Sequence, residues 1–138
     1  MSLEWREQLS VGNDLIDSDH KYLIEIINLA AHSLKTKNRN DLATALNNLS
    51  QYSKAHFIRE EAIAAAVGYP KAASLEASHE GLLKRLDQVK QELGADLTDA
   101  QLEQFAVFLR EWLINHVIKE DMLLKPYLKK YSPRFDPR

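Results

Sequence analysis

Residues 56–79 read HFIREEAIAAAVGYPKAASLEASH, and this stretch decides the architecture. Its first half completes an apolar stripe through Leu42, Ala45, Leu46, Leu49, Tyr52, His56, Ile63 and Val67, the three-and-four spacing of one helix face. Gly68-Tyr69-Pro70 then supplies a C-cap glycine and a helix stop. A new stripe follows through Leu75, His79, Leu82, Leu86, Val89 and Leu93, closed by Gly94. Two long amphipathic helices joined by so short a break must fold back on each other.

The same pattern extends outward. Upstream, Leu23, Ile24, Ile27, Ala31 and Leu34 form one stripe, ended by the polar break Lys37-Asn38-Arg39-Asn40. Downstream, Thr98-Asp99-Ala100-Gln101 fits a capping box and opens a stripe through Leu102, Phe105, Leu109, Trp112, Leu113, His116 and Val117. Pro126 and Pro133 mark where this last helix bends or stops. The sequence predicts helices over about 18–36, 41–67, 71–93 and 98–125, after an extended arm (1–17) with a turn at Val11-Gly12-Asn13-Asp14 and before a tail (126–138). No segment alternates with period two. The expectation is an all-α fold, a single domain over 1–138, arranged as an up-down-up-down antiparallel four-helix bundle.

Composition narrows the function. The 138 residues carry 18 Lys+Arg against 20 Asp+Glu, a formal charge of −2. There is no basic field to hold nucleic acid or an anionic membrane. Without cysteine there are no disulfides, thiolate metal sites or cysteine nucleophiles. No stretch approaches the ~20 apolar residues of a membrane span, and Met1 to Trp5 holds no apolar leader. The expected setting is cytoplasmic. Glycine-rich phosphate loops and serine-nucleophile motifs are absent.

What remains conspicuous is histidine. Of His20, His32, His56, His79 and His116, all but His32 fall on the core stripes, one per helix. His20 and His79 come early in their helices, His56 and His116 late. In an antiparallel bundle all four imidazoles reach the same end of the core. Left without partners, each would cost ~1–3 kcal/mol in desolvation. Carboxylates accompany them. His56 and Glu60 stand at i and i+4, on one helix face. Asp121 lies five residues after His116, about 500° around an α-helix and so off the same face unless the helix loosens, as a π-type bulge would do. Imidazole with carboxylate and no thiolate suits iron, manganese or zinc. Two carboxylates bridging two ions is the pattern of di-iron bundles. His32, about 120° around from His20, should face out; Glu61 and Glu120 are expected in solvent, and Trp5 and Trp112 as packing anchors.

The ordered set Trp5, Val11-Gly12, Ile16-Asp17-Ser18-Asp19-His20-Lys21, Asn28, His56-Phe57-x-x-Glu60-Glu61, Gly68-Tyr69-Pro70 and Trp112-Leu113-x-x-His116-Val117-x-x-x-Asp121 resembles the hemerythrin family, specifically bacterial hemerythrin-like domains. The resemblance implies two non-haem iron ions with an oxo or hydroxo bridge. His20 and His56 would hold one iron, His79 and His116 the other, and Glu60 and Asp121 would bridge them. It further implies binding of O2 or a related small ligand such as peroxide, by a free-standing carrier or by a sensory domain of a larger signalling protein. Leu23, Ile24, Ile27, Phe57, Leu82, Trp112 and Val117 can line the dry pocket such a ligand requires.

Two positions depart from the family. Leu75 stands where the family's third helix carries a further histidine ligand, and Ala64 where a methionine usually forms the pocket wall. Leucine cannot ligate. An exogenous ligand could fill the position, the second iron could be labile, or Glu76 could substitute, since Glu76-x-x-His79 has the i, i+3 spacing of ferritin-like ligands. The alanines at 64–66, 72, 73 and 77, with Gly81, fit either simple helix preference or an access channel. A more open iron site favours redox sensing, or peroxidase- or oxidase-like chemistry, over durable O2 storage.

Overall fold

A computed structural model describes residues 3–93 and 98–137. Four long helical runs form the bundle: α1 (Asp14–Thr36), α2 (Arg39–Ala66), α3 (Ala72–Glu92) and α4 (Asp99–Glu111). The fourth run continues beyond α4 through a π-helical segment, Trp112–Ile118, then α5 (Lys119–Asp121), a 3-10 turn (Met122–Leu124) and α6 (Lys125–Leu128). α1 packs on α2 and α4, and α2 on α3, the neighbour pattern of an up-down-up-down bundle. No strand occurs among the described residues, and none of their helices is long and apolar enough to cross a membrane.

The helix ends follow local chemistry. The Asn13 side chain accepts from the Ile16 amide at 3.1 Å, so α1 begins at Asp14, four residues earlier than the stripe alone suggests. Thr98 and Gln101 form the expected capping box. Gly68 takes the left-handed conformation, φ +74°, which lets the Tyr69 amide return to the Ala64 carbonyl at 2.9 Å and seal α2. The expected closure of the third helix by Gly94 lies outside the described residues. The arm is not wholly extended: Glu7–Leu9 makes a 3-10 turn. Asn28 pins it to α1, accepting from the Leu3 amide and donating to the Leu3 carbonyl, both at 2.9 Å.

Each of the four runs carries a polar residue between two apolar layers. In α1 it is His20 between Ile16 and Leu23; in α2, Glu60 between Phe57 and Ile63; in α3, His79 between Leu75 and Leu86; in the last run, Asp121 between Val117 and Leu124. On one side lies the main apolar cluster, including Leu23, Ile27, Phe57, Leu109, Trp112 and Val117. On the other is a smaller cap of Val11, Ile16, Ile63, Ala64, Tyr69, Leu75, Leu124 and Leu128. The tail closes over this cap, where the Asn13 amide group donates to the Phe135 carbonyl at 3.0 Å.

Asn13 serves both as helix cap and as anchor for the tail, so Asn13→Ala should cost about 1–2 kcal/mol. Denaturant unfolding checks this, and a loss of only a few tenths would show the tail contact to be inert.

Candidate metal centre

His20, His56, Glu60 and Asp121 bring four potential ligand atoms within 4.8 Å of one another, all on buried residues. Asp121 Oδ2 is the focus, 2.6 Å from His20 Nε2 and 3.1 Å from His56 Nε2. Glu60 Oε2 stands 3.1 Å from the same His56 nitrogen, and Glu60 Oε1 3.4 Å from His79 Nε2. Glu60 Oε1 and Oε2, Asp121 Oδ1 and His79 Nε2 are buried without a hydrogen-bond partner. Unpartnered carboxylate and imidazole atoms facing one another in an apolar core are the ligand set of a cation. With two kinds of donor, imidazole and carboxylate, the set fits iron.

Two further carboxylates orient the histidines. Asp19 Oδ2 is 2.9 Å from His56 Nδ1, and Glu61 Oε2 is 2.8 Å from His79 Nδ1. Each fixes an imidazole with Nε2 aimed at Glu60 and Asp121, as outer carboxylates do around metal sites. Asp19 is itself clamped: Arg59 donates from Nε at 2.9 Å and Nη2 at 2.8 Å, and the Tyr52 hydroxyl donates at 2.7 Å. Phe57 lies flat against the His79 ring, centroids 3.9 Å apart.

Electrostatics follow from crowding acids and imidazoles in a dry layer. Burial, reinforced by the Asp121 charge, pushes Glu60 from its ordinary 4.5 up to about 8. Burial opposes ionisation of Asp121 too, yet the neighbouring Glu60, His20 and His56 hold it well below the usual carboxylate range. Asp19 is likewise held low by His56, Arg59 and Tyr52 against the effect of burial. Burial would lower His56, but its bonds to Asp121 and Asp19 and the adjacent Glu60 carboxylate raise it well above 6.5.

Residues 11–128 match the family model described as the hemerythrin HHE cation binding domain. The chain belongs to the hemerythrin family. A bacteriohemerythrin from Stenotrophomonas maltophilia is 27% identical over 135 residues, covering 96% of this chain and 86% of that protein. A hemerythrin-like protein of Naegleria gruberi is 30% identical over 124 residues, covering 90% of this chain and 92% of its own. A crystal structure of a hemerythrin point mutant superposes with a TM-score of 0.76 at 25% identity, covering 91% of this chain and 96% of that one. The protein is a hemerythrin-type iron-binding domain.

Not every residue expected at the hemerythrin centre arrives there. His116 is exposed. The reason lies in the π-helical segment, whose wider winding makes the inward face recur at every fifth residue. The buried pairs there are Trp112 with Val117 and Leu113 with Ile118. Val117 takes the inward place that His116 would hold in an α-helix, and one α-turn later Asp121 falls inside. The loosening that brings Asp121 in therefore turns His116 out. Glu76 is exposed as well, on the outer face of α3, so it does not join the buried ligand atoms. Leu75 is buried in the apolar cap. Ala65, Ala66, Ala73, Ala77 and Gly81 face solvent, and a cavity of about 440 Å³ lies at the far end of the bundle, lined by Ser33, Leu46 and Lys90 among others. The small residues thus read as helix formers more than as a channel wall. Glu61, expected in solvent, instead holds His79, and Glu120 accepts from Ser78 Oγ at 2.7 Å. Asp19, Tyr52 and Arg59 were not singled out from sequence as part of the centre. A signal existed: Tyr52, His56 and Arg59 follow i, i+4, i+7 spacing, and Asp19 adjoins His20.

Asp19→Asn keeps the shape but removes the charge that orients His56, and should weaken metal binding by about 10–100-fold. Competition with a chelator reads this, and unchanged affinity would reduce Asp19 to packing. A pH effect also follows for the metal-free protein. From pH 4.5 to about 8 the folded chain holds a proton on Glu60 that the unfolded chain releases, and His56 adds to this above pH 6.5. The folded state binds more protons there, so its stability should fall as pH rises through this window. Thermal melts should show the decline, and Glu60→Gln should flatten it; a melting temperature that climbs over the same range would contradict it.

Proposed function

We propose that this domain holds iron through His20, His56, Glu60 and Asp121, with a second iron bound less fully by His79 and the free oxygens of the two carboxylates. O2, or a related small ligand such as peroxide, binds at the less fully liganded position. The observation that carries this reading is the division of the two buried carboxylates. Asp121 Oδ2 and Glu60 Oε2 lie within 3.1 Å of the His20–His56 ring nitrogens, while Asp121 Oδ1 is unpartnered and Glu60 Oε1 faces His79 Nε2 at 3.4 Å. Held by the same two carboxylates, the two ions would be close enough to share an oxo or hydroxo group. Iron supplies reversible one-electron chemistry and a binding place for O2. The chain supplies the dry walls, with Phe57 against His79 and His56, and Trp112, Val117, Leu23, Ile24 and Ile27 in the same apolar cluster. That cluster keeps bulk water from the ligand.

A family member with two fully liganded irons suits storage. Here Leu75 cannot ligate and His116 is turned out, so the second position has room for solvent or peroxide. This favours an O2- or redox-sensing role, as a cytoplasmic domain alone or within a signalling protein. The same openness supports a peroxidase-like reading, which turnover of H2O2 with a reducing co-substrate separates.

Anaerobic ferrous titration of the metal-free protein should show two unequal equivalents per chain, and Leu75→His should tighten the weaker by about tenfold or more. Admitting O2 should give a complex that passes quickly to the ferric form. Two equal, tight irons with a durable, reversible O2 complex would refute the asymmetric site.

A further inference from the structure

The clamp on Asp19 leads outward as well as inward. Asp19 joins His56 at 2.9 Å to the Tyr52 hydroxyl at 2.7 Å. The Tyr52 ring is stacked on that of Tyr22, with centroids 4.4 Å apart and an interplanar angle of 25°. Tyr22 is 46% exposed. One continuous line of hydrogen bonds and stacked rings therefore runs from an iron-binding histidine to the surface. Orienting His56 needs only Asp19; it does not need two stacked phenols, one of them open to solvent.

We infer that Tyr52 and Tyr22 form an oxidisable relay that carries oxidising equivalents from the iron centre to soluble one-electron reductants. The inference rests on the iron-binding reading above and on peroxide as the oxidant. Reduction of one hydrogen peroxide to two waters takes two electrons and two protons; with iron only at the fuller His20–His56 position, the ferrous-to-ferric change supplies one electron. Tyr52 supplies the other electron; solvent supplies both protons. The Tyr52 proton moves along its hydrogen bond to Asp19, leaving a neutral phenoxyl radical. Proton loss is required, because the Arg59 guanidinium lies 5.6 Å from the Tyr52 ring centroid and opposes a cationic ring. An electron then crosses from Tyr22, the proton returns from Asp19 to Tyr52, and Tyr22 releases its own proton to water. A thiol- or ascorbate-class donor restores Tyr22 by giving one electron, with a proton from solvent.

Trp112, the other oxidisable ring near the histidines, lacks such an exit. It is buried and its indole N–H is bonded to the Leu82 carbonyl at 3.1 Å, which is no proton acceptor. Met122, next to Asp121 in sequence and partly buried, is what a stranded oxidant can damage.

The test uses wild type, Tyr22→Phe and Tyr52→Phe in two arms, with iron content measured on every sample. In the first, protein loaded with one ferrous ion per chain is mixed with hydrogen peroxide and freeze-quenched for EPR. Wild type should show a tyrosyl radical, and Tyr22→Phe a radical severalfold longer-lived because its outlet is gone. Tyr52→Phe should lose most of the radical and gain Met122 sulfoxide. In the second arm, a photogenerated one-electron oxidant in solution strikes iron-free protein. The wild-type tyrosyl transient should outlast that of Tyr52→Phe severalfold, since the hole settles on the hydrogen-bonded phenol. Equal transients in the second arm, or equal radical yields at equal iron content in the first, overturn the relay. A retained difference in the second arm with no iron bound leaves the relay standing and overturns the iron reading instead.

Discussion

The placing of Glu60 and Asp121 side by side, both fully buried, is the constraint on which the rest of the bundle depends. Two ionised carboxylates in a dry core repel each other, and each carries a desolvation penalty of several kcal/mol. Without metal, protonation relieves this: burial and the Asp121 charge push Glu60 up to about 8, and His56, facing Asp121 and Asp19, is raised well above 6.5. A cation does the same work better, since it replaces those protons with positive charge at the point where the oxygens converge. The apolar layers above and below make the arrangement selective, because they exclude the water that could otherwise solvate the carboxylates.

Much of this was legible in the sequence. Stripe spacing located the helices, and the alternation of early and late histidines placed His20, His56 and His79 in one layer, since axial position in an antiparallel bundle follows from chain order alone. Glu60 was readable from i, i+4 geometry. Asp121 was readable only conditionally: its inward position required a local change of winding, and the π-helical segment at Trp112–Ile118 is that change. The same change hid the fate of His116. Once the helix period shifts, stripe membership computed with α spacing no longer tells which face a residue occupies. The Asp19 clamp escaped for another reason. Its partners Tyr52 and Arg59 come from a different helix, and a charged residue next to a histidine reads as solvated until the rotation of α1 against α2 is known. Glu61 escaped likewise, since its partner His79 is on α3.

The two outer carboxylates are unequal. Asp19 is nearly buried and receives three protein donors besides His56 contact atoms on α2, whereas Glu61 is partly open to solvent. His56 is therefore held in one orientation by a rigid network, and His79 by a single exposed carboxylate and the flat face of Phe57. The inequality runs in the same direction as the inner ligands: the fuller set lies with His20 and His56, the sparser with His79. Rigidity and donor number are concentrated on one side of the two buried carboxylates, the physical basis of the unequal iron positions proposed above.

Leu75 gives that asymmetry an energetic rationale. A histidine at this position would set another polar ring beside Ile63, Ala64 and Leu124, where it would be satisfied only while a metal was bound. Leucine completes the cap in either state, and full burial of such a side chain contributes about 1.5–3 kcal/mol. The folded state thereby depends less on metal occupancy, and on the iron reading proposed above the second position goes without a ligand from Leu75. A domain built for permanent iron pairing gains little from that exchange. A domain whose iron or ligand must come and go gains a scaffold that persists through both states, and binding then reports on the ligand rather than on folding.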